Sequence, residues 1–364
     1  MKRVIIVPQL KIAMRYTDWW ADLFFDELKN RLGGSTGWQV VMLEGSNSSK
    51  KKGTASSTVA TVSSLEKFQQ AMVEHELKMI TSLKNMELES TDILVCLDVC
   101  TPGLIASFLQ NIQRNKRPAT MGFCHGSSFN TGDMYHGSRQ VFDLACMSVF
   151  NRILVATNYH ADKLTYAGVD HCKIRVSNAF PDNPYYLNSP LLPRTTNRFS
   201  DKNPVNNVAI VDRFGQKRNN ALIKEFTDFA NQKGIPYQLH DLYGVYDTWE
   251  KYIDFLSCCH YMLVTTCEET YGYQVRDALF AGVIPICPAS LSFPEVLNPV
   301  CLYEKPTLDC ILNTMSESMN FIQNNDLEKH KLVDIFTRSP GCVESFFTNV
   351  ATEIVILSTE ARPL

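Results

Sequence analysis

The stretch Thr266-Cys-Glu-Glu-Thr-Tyr-Gly-Tyr-Gln-Val-Arg-Asp-Ala-Leu-Phe-Ala-Gly-Val-Ile-Pro-Ile-Cys287, with Phe293-Pro-Glu-Val-Leu297 just beyond it, decides the reading of this chain. The apolar run Tyr261 to Val264 ahead of it reads as a buried strand, and Val283 to Cys287 reads as another. Two acids, a glycine and a helical apolar pattern lie between them, so the unit is strand, loop, helix, strand. That order puts Glu269 at the carboxyl end of a strand. It puts Gly272 at a helix amino terminus, where the lack of a Cβ lets backbone amides approach an anion. Asp277 follows further along the same helix. A plain βαβ unit could carry two solvated acids, but it needs neither this glycine nor the Ala281-Gly282-x-x-Pro285 pattern behind it. Amides for phosphates together with carboxylates for hydroxyls are what a sugar diphosphate requires.

The stretch resembles the donor-binding motif of retaining glycosyltransferases with the GT-B fold, those that carry a Glu-x7-Glu signature. Glu269 matches the first acid and Asp277 the second, which is Glu in most members; Ala278, Leu279, Gly282, Pro285 and Ile286 match the small and apolar positions that follow. The resemblance implies an α/β fold of two facing Rossmann-like domains with the active site in the cleft between them. It also implies that Gly272, Tyr273, Gln274 and Asp277 bind the donor.

Bulk composition agrees with such an architecture. A chain of 364 residues is long enough for two domains, each with its own core. The formal net charge of −3 argues against a broad basic face for nucleic acid, though not against a local groove. The 12 cysteines form no CxxC pair, and several (Cys96, Cys124, Cys287) sit in apolar runs as small buried hydrophobes. The start of the chain offers no secretory apolar segment, since Met1 to Val7 stops at Pro8, so a cytoplasmic location is expected. No apolar run reaches membrane-spanning length, so no membrane insertion is expected.

Outward from the motif, strands and helices alternate. Strands are predicted at Val4–Val7, Gln39–Leu43, Ile93–Leu97, Thr120–Cys124, Ile153–Ala156 and Lys173–Val176 in the first half, and at Val208–Val211 and Tyr237–His240 in the second. Helices are predicted over Asp18–Leu32 with Thr17 as cap, Leu65–Met86, from Pro102, Ala161–Ala167, Asn219–Gln232, Thr248–Ser257 and Val343–Leu357. This order implies parallel, doubly wound sheets. Residues 1–180 form an acceptor-side domain and 181–204, rich in Pro, Asn, Tyr and Ser, a linker. Residues 205–340 form the donor-binding domain, and 341–364 a terminal helix expected to pack back on the first domain, as in the resembled fold. Gly45–Ser64, with Lys50-Lys51-Lys52 inside it, reads as a mobile loop.

Further constellations carry chemistry. Val211-Asp-Arg-Phe-Gly-Gln-Lys-Arg-Asn219 follows the first strand of the second half. The resembled family places an Arg and, four residues on, a Lys here, both directed at the donor diphosphate; Arg213 and Lys217 match. Fixed cations stabilise a departing nucleoside diphosphate more in the transition state than in the ground state. No Asp-x-Asp motif occurs in the chain, so no required metal and no cofactor are expected, the nucleotide sugar being a co-substrate. In Gly122-Phe-Cys-His125-Gly-Ser-Ser-Phe-Asn-Thr-Gly-Asp133-Met-Tyr-His136, His125 is the candidate for a group near the donor sugar, as the resemblance implies, and Asp133 for an acceptor contact. Arg15, in the loop after the first strand, is a candidate anion contact. Cys258-Cys259-His260 with Cys267 fits no common zinc spacing.

The reading is an enzyme that moves a sugar from a nucleotide-sugar donor to an acceptor hydroxyl, with retention implied by the resemblance. The acceptor stays open. The His125-to-Asp133 segment is loosely similar to enzymes that mannosylate a modified tRNA base, and virus-encoded enzymes that glycosylate hydroxymethylated DNA bases share the architecture, so a nucleic-acid base stands beside small molecules and glycans. The rival readings are a nucleotide-sugar epimerase or a phosphorylase on the same fold, and a non-catalytic nucleotide-sugar-binding protein.

Overall fold

A computed structural model describes residues 1–12, 14–33, 37–45, 65–111, 116–131, 136–137, 139–188, 206–211, 218–233, 237–242, 245–325, 332–337 and 343–360; the Lys50-Lys51-Lys52 run lies outside them. The strands are β1 (Lys2–Val7), β2 (Trp38–Met42), β3 (Ile93–Cys96), β4 (Ala119–Phe123), β5 (Arg152–Val155) and β6 (Ile174–Val176), then β7 (Asn206–Ile210), β8 (Tyr237–Asp241), β9 (Tyr261–Leu263), β10 (Ile284–Pro288) and β11 (Leu302–Tyr303). The helices are α1 (Trp20–Leu32), α2 (Leu65–Lys84), α3 (Pro102–Asn111), α4 (Gln140–Val149), α5 (Asn158–Tyr166) and α6 (Pro184–Asn188), followed by α7 (Asn220–Lys233), α8 (Trp249–Leu256), α9 (Tyr273–Phe280), α10 (Phe293–Val296), α11 (Leu308–Asn324), α12 (Leu332–Phe336) and α13 (Val343–Thr359).

Two parallel sheets result. The first has the order β2-β1-β3-β4-β5-β6 and the second β11-β10-β9-β7-β8. Parallel strands need both faces covered, and the strands of the first sheet are apolar on both. Val4, Ile6, Ile93, Val95 and Phe123 face the core that includes α1, while Ile5, Val7, Leu94 and Cys96 face the other, with Phe108 of α3 and Met147 of α4. Helix α1 buries Trp20, Phe24, Leu28 and Leu32 at four-residue spacing. Helix α13 returns to this face: Phe346 and Phe347 pack edge-on against Phe24, and Arg31 reaches Glu344. The same apolar cluster continues into the second domain, so the two halves share one seam.

Each sheet has one point where strand order reverses, between β1 and β3 in the first and between β7 and β9 in the second. Crevices at the carboxyl ends of strands beside such a point are where open α/β sheets bind ligands.

Several elements differ from the sequence expectation. Helix α1 starts at Trp20, after a short 3-10 turn over Tyr16–Asp18, and Thr17 does not cap it; the Thr17 hydroxyl accepts a bond from the Ile12 amide instead. The sequence pattern gives no signal for α4, because Val141 and Phe142 are exposed while Asp143 is buried. The buried Asp143 carboxylate accepts from the amide and hydroxyl of Ser128, which inverts the usual periodicity. Phe293-Pro294 opens the short α10, unpredicted from the sequence, where proline in the first turn removes no needed donor. Helix α6 lies inside the stretch read as linker.

The exit from the first domain is fixed by a buried ion pair. Arg276 of α9 donates from Nε and Nη2 to the two carboxylate oxygens of Asp182, at 2.7 Å each, and the side chains are 4 % and 6 % exposed. Removing one partner of such a pair leaves a buried charge. Arg276→Met is therefore expected to destabilise by roughly 3–5 kcal/mol, and Arg276→Met with Asp182→Leu to recover most of that loss. Urea denaturation of the two variants checks this; equal losses in both would contradict it.

Candidate active site

The loop from Thr265 to Gly272 leaves β9 beside the reversal point of the second sheet. The Thr266 hydroxyl donates to the Glu268 carbonyl at 2.9 Å and accepts from the Glu268 amide at 3.3 Å, which turns the chain. Glu269 then folds its carboxylate over its own loop. Oε1 accepts from the amides of Thr270 and Tyr271 at 2.9 and 3.2 Å, and Gln274 Nε2 lies 3.4 Å from Oε2. Glu269 remains half-buried.

Gly272 caps α9 with a φ of 85°, the left-handed region that favours glycine, and a Cβ there would come within 3.0 Å of Phe293. Glycine offers no side chain to the first amides of α9, so these donors and the positive end of the helix are left for a ligand anion. Gly282, at φ 71°, ends the helix, where the Val283 amide bonds back to the Ala278 carbonyl.

The first domain faces this loop directly. The Thr270 hydroxyl donates to the His125 carbonyl at 2.6 Å, and the Tyr273 hydroxyl lies 3.5 Å from His125 Nδ1. The His125 ring sits among Tyr16, Trp20 and Phe180, with centroids 4.5, 4.9 and 4.8 Å away, and Tyr16 stacks on Tyr273 at 4.9 Å. Burial pushes the His125 imidazole down to about 3, against the opposing pull of the Leu97 carbonyl. His125 is therefore neutral near pH 7 and acts as a packed hydrogen-bonding ring rather than a cation.

Asp277 lies deeper on α9, 8 % exposed. Burial pushes its carboxyl up to about 7; the Tyr186 hydroxyl beside it opposes the shift and Asp182 adds to it. Around it, buried donors lack partners among the described residues: Arg276 Nη1, Asn183 Nδ2, the Tyr252 hydroxyl and, against Tyr252, Trp249 Nε1. Buried donors beside a carboxyl call for acceptor oxygens, which a ligand or ordered water can supply.

The structure thus brings Glu269, Gly272, Tyr273, Gln274 and His125 together, with Asp277 one layer deeper. Arg15 ends the loop after β1, and its carbonyl accepts the bond from the Asp18 amide that closes the Tyr16–Asp18 turn; Met14 before it takes a φ of 58°. Arg213, Lys217 and Asp133 lie outside the described residues. Their described neighbours reach the site: the Arg218 backbone bridges to Thr266, and Thr131 bonds Glu268. Sequence spacing missed Glu268, Asn183, Tyr252 and Trp249. Glu268 is 3 % exposed, and its carboxylate accepts from Lys163 at 2.7 Å and from the Thr131 amide and hydroxyl at 3.1 Å each. Among the described residues, the one cluster with metal-ligand proximity is the exposed Asp170–His171–Cys172, at the amino end of β6 and so at the opposite sheet edge. No described helix is long and apolar enough to cross a membrane.

The Asp277 geometry has a pH signature. A carboxyl whose folded pKa is raised contributes stability that is full below its unfolded value and is lost as pH rises through the folded one, here about 7. Relative to the parent, Asp277→Asn is expected to gain stability between pH 5 and pH 8.5, by an amount on the order of a few kcal/mol. Thermal unfolding at both pH values checks this; a stability gap independent of pH would contradict it.

No protein-family model matches the chain, and no curated protein matches it in sequence. Solved structures do. The catalytic domain of starch synthase IV from Arabidopsis thaliana, bound to ADP and acarbose, superposes with a TM-score of 0.60 at 11 % identity, covering 99 % of this chain and 99 % of that one. The lipopolysaccharide outer core galactosyltransferase WaaB gives 0.57 at 11 % identity, over 98 % and 99 %. The α,α-trehalose 6-phosphate synthase of Burkholderia multivorans gives 0.57 at 9 % identity, over 100 % of both chains. At these identities the likeness establishes the architecture: the chain has the GT-B fold of two facing Rossmann-like domains.

Proposed function

We propose that this protein is a retaining, metal-independent glycosyltransferase that moves a sugar from a nucleotide donor to an acceptor hydroxyl. One observation carries the reading. The Glu269 carboxylate and the side-chain-free amino terminus of α9 lie together at the reversal point of a parallel sheet, facing His125 across the cleft. The first holds hydroxyls of the donor sugar and the second its diphosphate. Asp277, with the unpaired donors of Tyr252, Arg276 and Asn183, takes the nucleoside. The ADP in the structurally similar starch synthase is consistent with such a donor.

In this mechanism the bond between the sugar and the diphosphate oxygen breaks. That oxygen takes the acceptor hydroxyl proton, and the acceptor oxygen bonds to the same face of the sugar. Charge grows on the departing diphosphate, so cations and amides aimed at it lower the barrier. Neutral His125 cannot supply that charge, which leaves the role to Arg213, Lys217 and the α9 amides.

Release of a nucleoside diphosphate from a panel of nucleotide sugars, without added metal, tests the reading. Arg213→Ala and Lys217→Ala are each expected to slow turnover roughly 10²-fold or more, and Glu269→Ala to impair donor use. Near-normal turnover in all three folded variants would overturn the assignment.

A further inference from the structure

Helix α5 of the first domain is held at its amino end by the second domain. Its first two amides, Asn158 and Tyr159, donate to the Glu295 carboxylate of α10 at 2.7 and 2.6 Å, and Asn158 Nδ2 adds a bond of 2.9 Å. The third amide, His160, is capped within the first domain by Thr157, whose hydroxyl in turn donates to the Thr270 carbonyl at 2.9 Å. One turn on, Lys163 donates to buried Glu268, which also takes the Thr131 amide and hydroxyl. In each of these contacts the first domain donates and the second accepts, while the Thr270 hydroxyl donates back to the His125 carbonyl at 2.6 Å.

Two of the helix-end donors that a helix ordinarily leaves unpaired are thus satisfied only by a carboxylate from across the cleft. All these groups are ionic or strongly polar. If the cleft opens, water replaces each partner, so the contacts favour closure without forbidding the open form. Glu268 and Thr270, two of the three second-domain residues so gripped, flank Glu269 in the chain, which fixes the loop carrying the proposed donor carboxylate.

We propose that Glu268 and Glu295 are positioning residues that latch the second domain onto α5, and that closing this latch sets the Glu269 loop for the donor. The link to the donor rests on the proposed function; the latch itself can be tested without it.

The experiment uses the full chain and the variants Lys163→Met, Glu295→Gln and Lys163→Arg. Ligand-free protein is studied by solution scattering and by hydrogen exchange of the Asn158, Tyr159 and Thr131 amides. Lys163→Met and Glu295→Gln are each expected to enlarge the radius of gyration and to speed exchange at these amides, and Lys163→Arg to restore the parent behaviour. If the closed fraction falls to roughly a tenth, nucleoside diphosphate affinity drops about tenfold, and KM for the donor rises more than kcat falls. Glu295→Gln keeps the shape of a half-buried side chain, so it tests the latch even if Lys163→Met does not fold. Folded variants with unchanged scattering and exchange would overturn the latch, whatever their activity. A protein that binds no nucleotide yet opens in both variants would keep the latch and refute the donor reading.

Discussion

The site depends on the constraint that a parallel sheet releases every strand at the same edge. In both sheets that edge faces the cleft. The loops after β1, β4 and β5 bring Tyr16, His125 and Thr157 to one side, and the loop after β9 brings Glu269 and Thr270 to the other. The apolar strands, covered on both faces, make this edge the place where polar side chains can cluster without interrupting the core. The reversal between β7 and β9 adds a crevice, and Gly272 turns the chain so that a helix end points into it.

The charged groups near the cleft have separate tasks set by burial. Glu269 is half-buried and bonded to amides of its own loop. Glu268, its neighbour, is buried and engaged with the other domain. Asp182 neutralises Arg276 at the domain exit, while Asp277 beside them is pushed toward neutrality by burial. Burial keeps the His125 ring uncharged near pH 7, so it adds no cation to the cleft.

Most strands were legible from the sequence, since apolar runs of four or five residues bounded by turns leave few other readings. Helix α9 was legible because a glycine fixes each end. The misses have physical causes. Helix α4 was hidden by an inverted pattern, with Phe142 exposed and Asp143 buried under Ser128. Thr17 looked like a cap, but the Ile12 amide uses its hydroxyl. In the site, the resemblance selects Glu269 because Asp277 follows at the family's interval. It cannot show that adjacent Glu268 is the interdomain residue, for the partners Lys163 and Thr131 are 105 and 137 positions away. Nor could the sequence show that Asp277 is walled in by Tyr186 and Tyr252, which belong to elements brought together only by the fold.

On the proposed reading, the α9 end and its carboxylates bind a nucleotide sugar through the diphosphate. The most direct measurement is thermal stabilisation of the full chain across nucleoside mono- and diphosphates and their sugars, without added metal. Binding to the folded state alone raises the melting temperature. The account predicts a shift with one nucleoside diphosphate and its sugar that is lost in Arg213→Ala. Folded protein that shifts with none of them would contradict it.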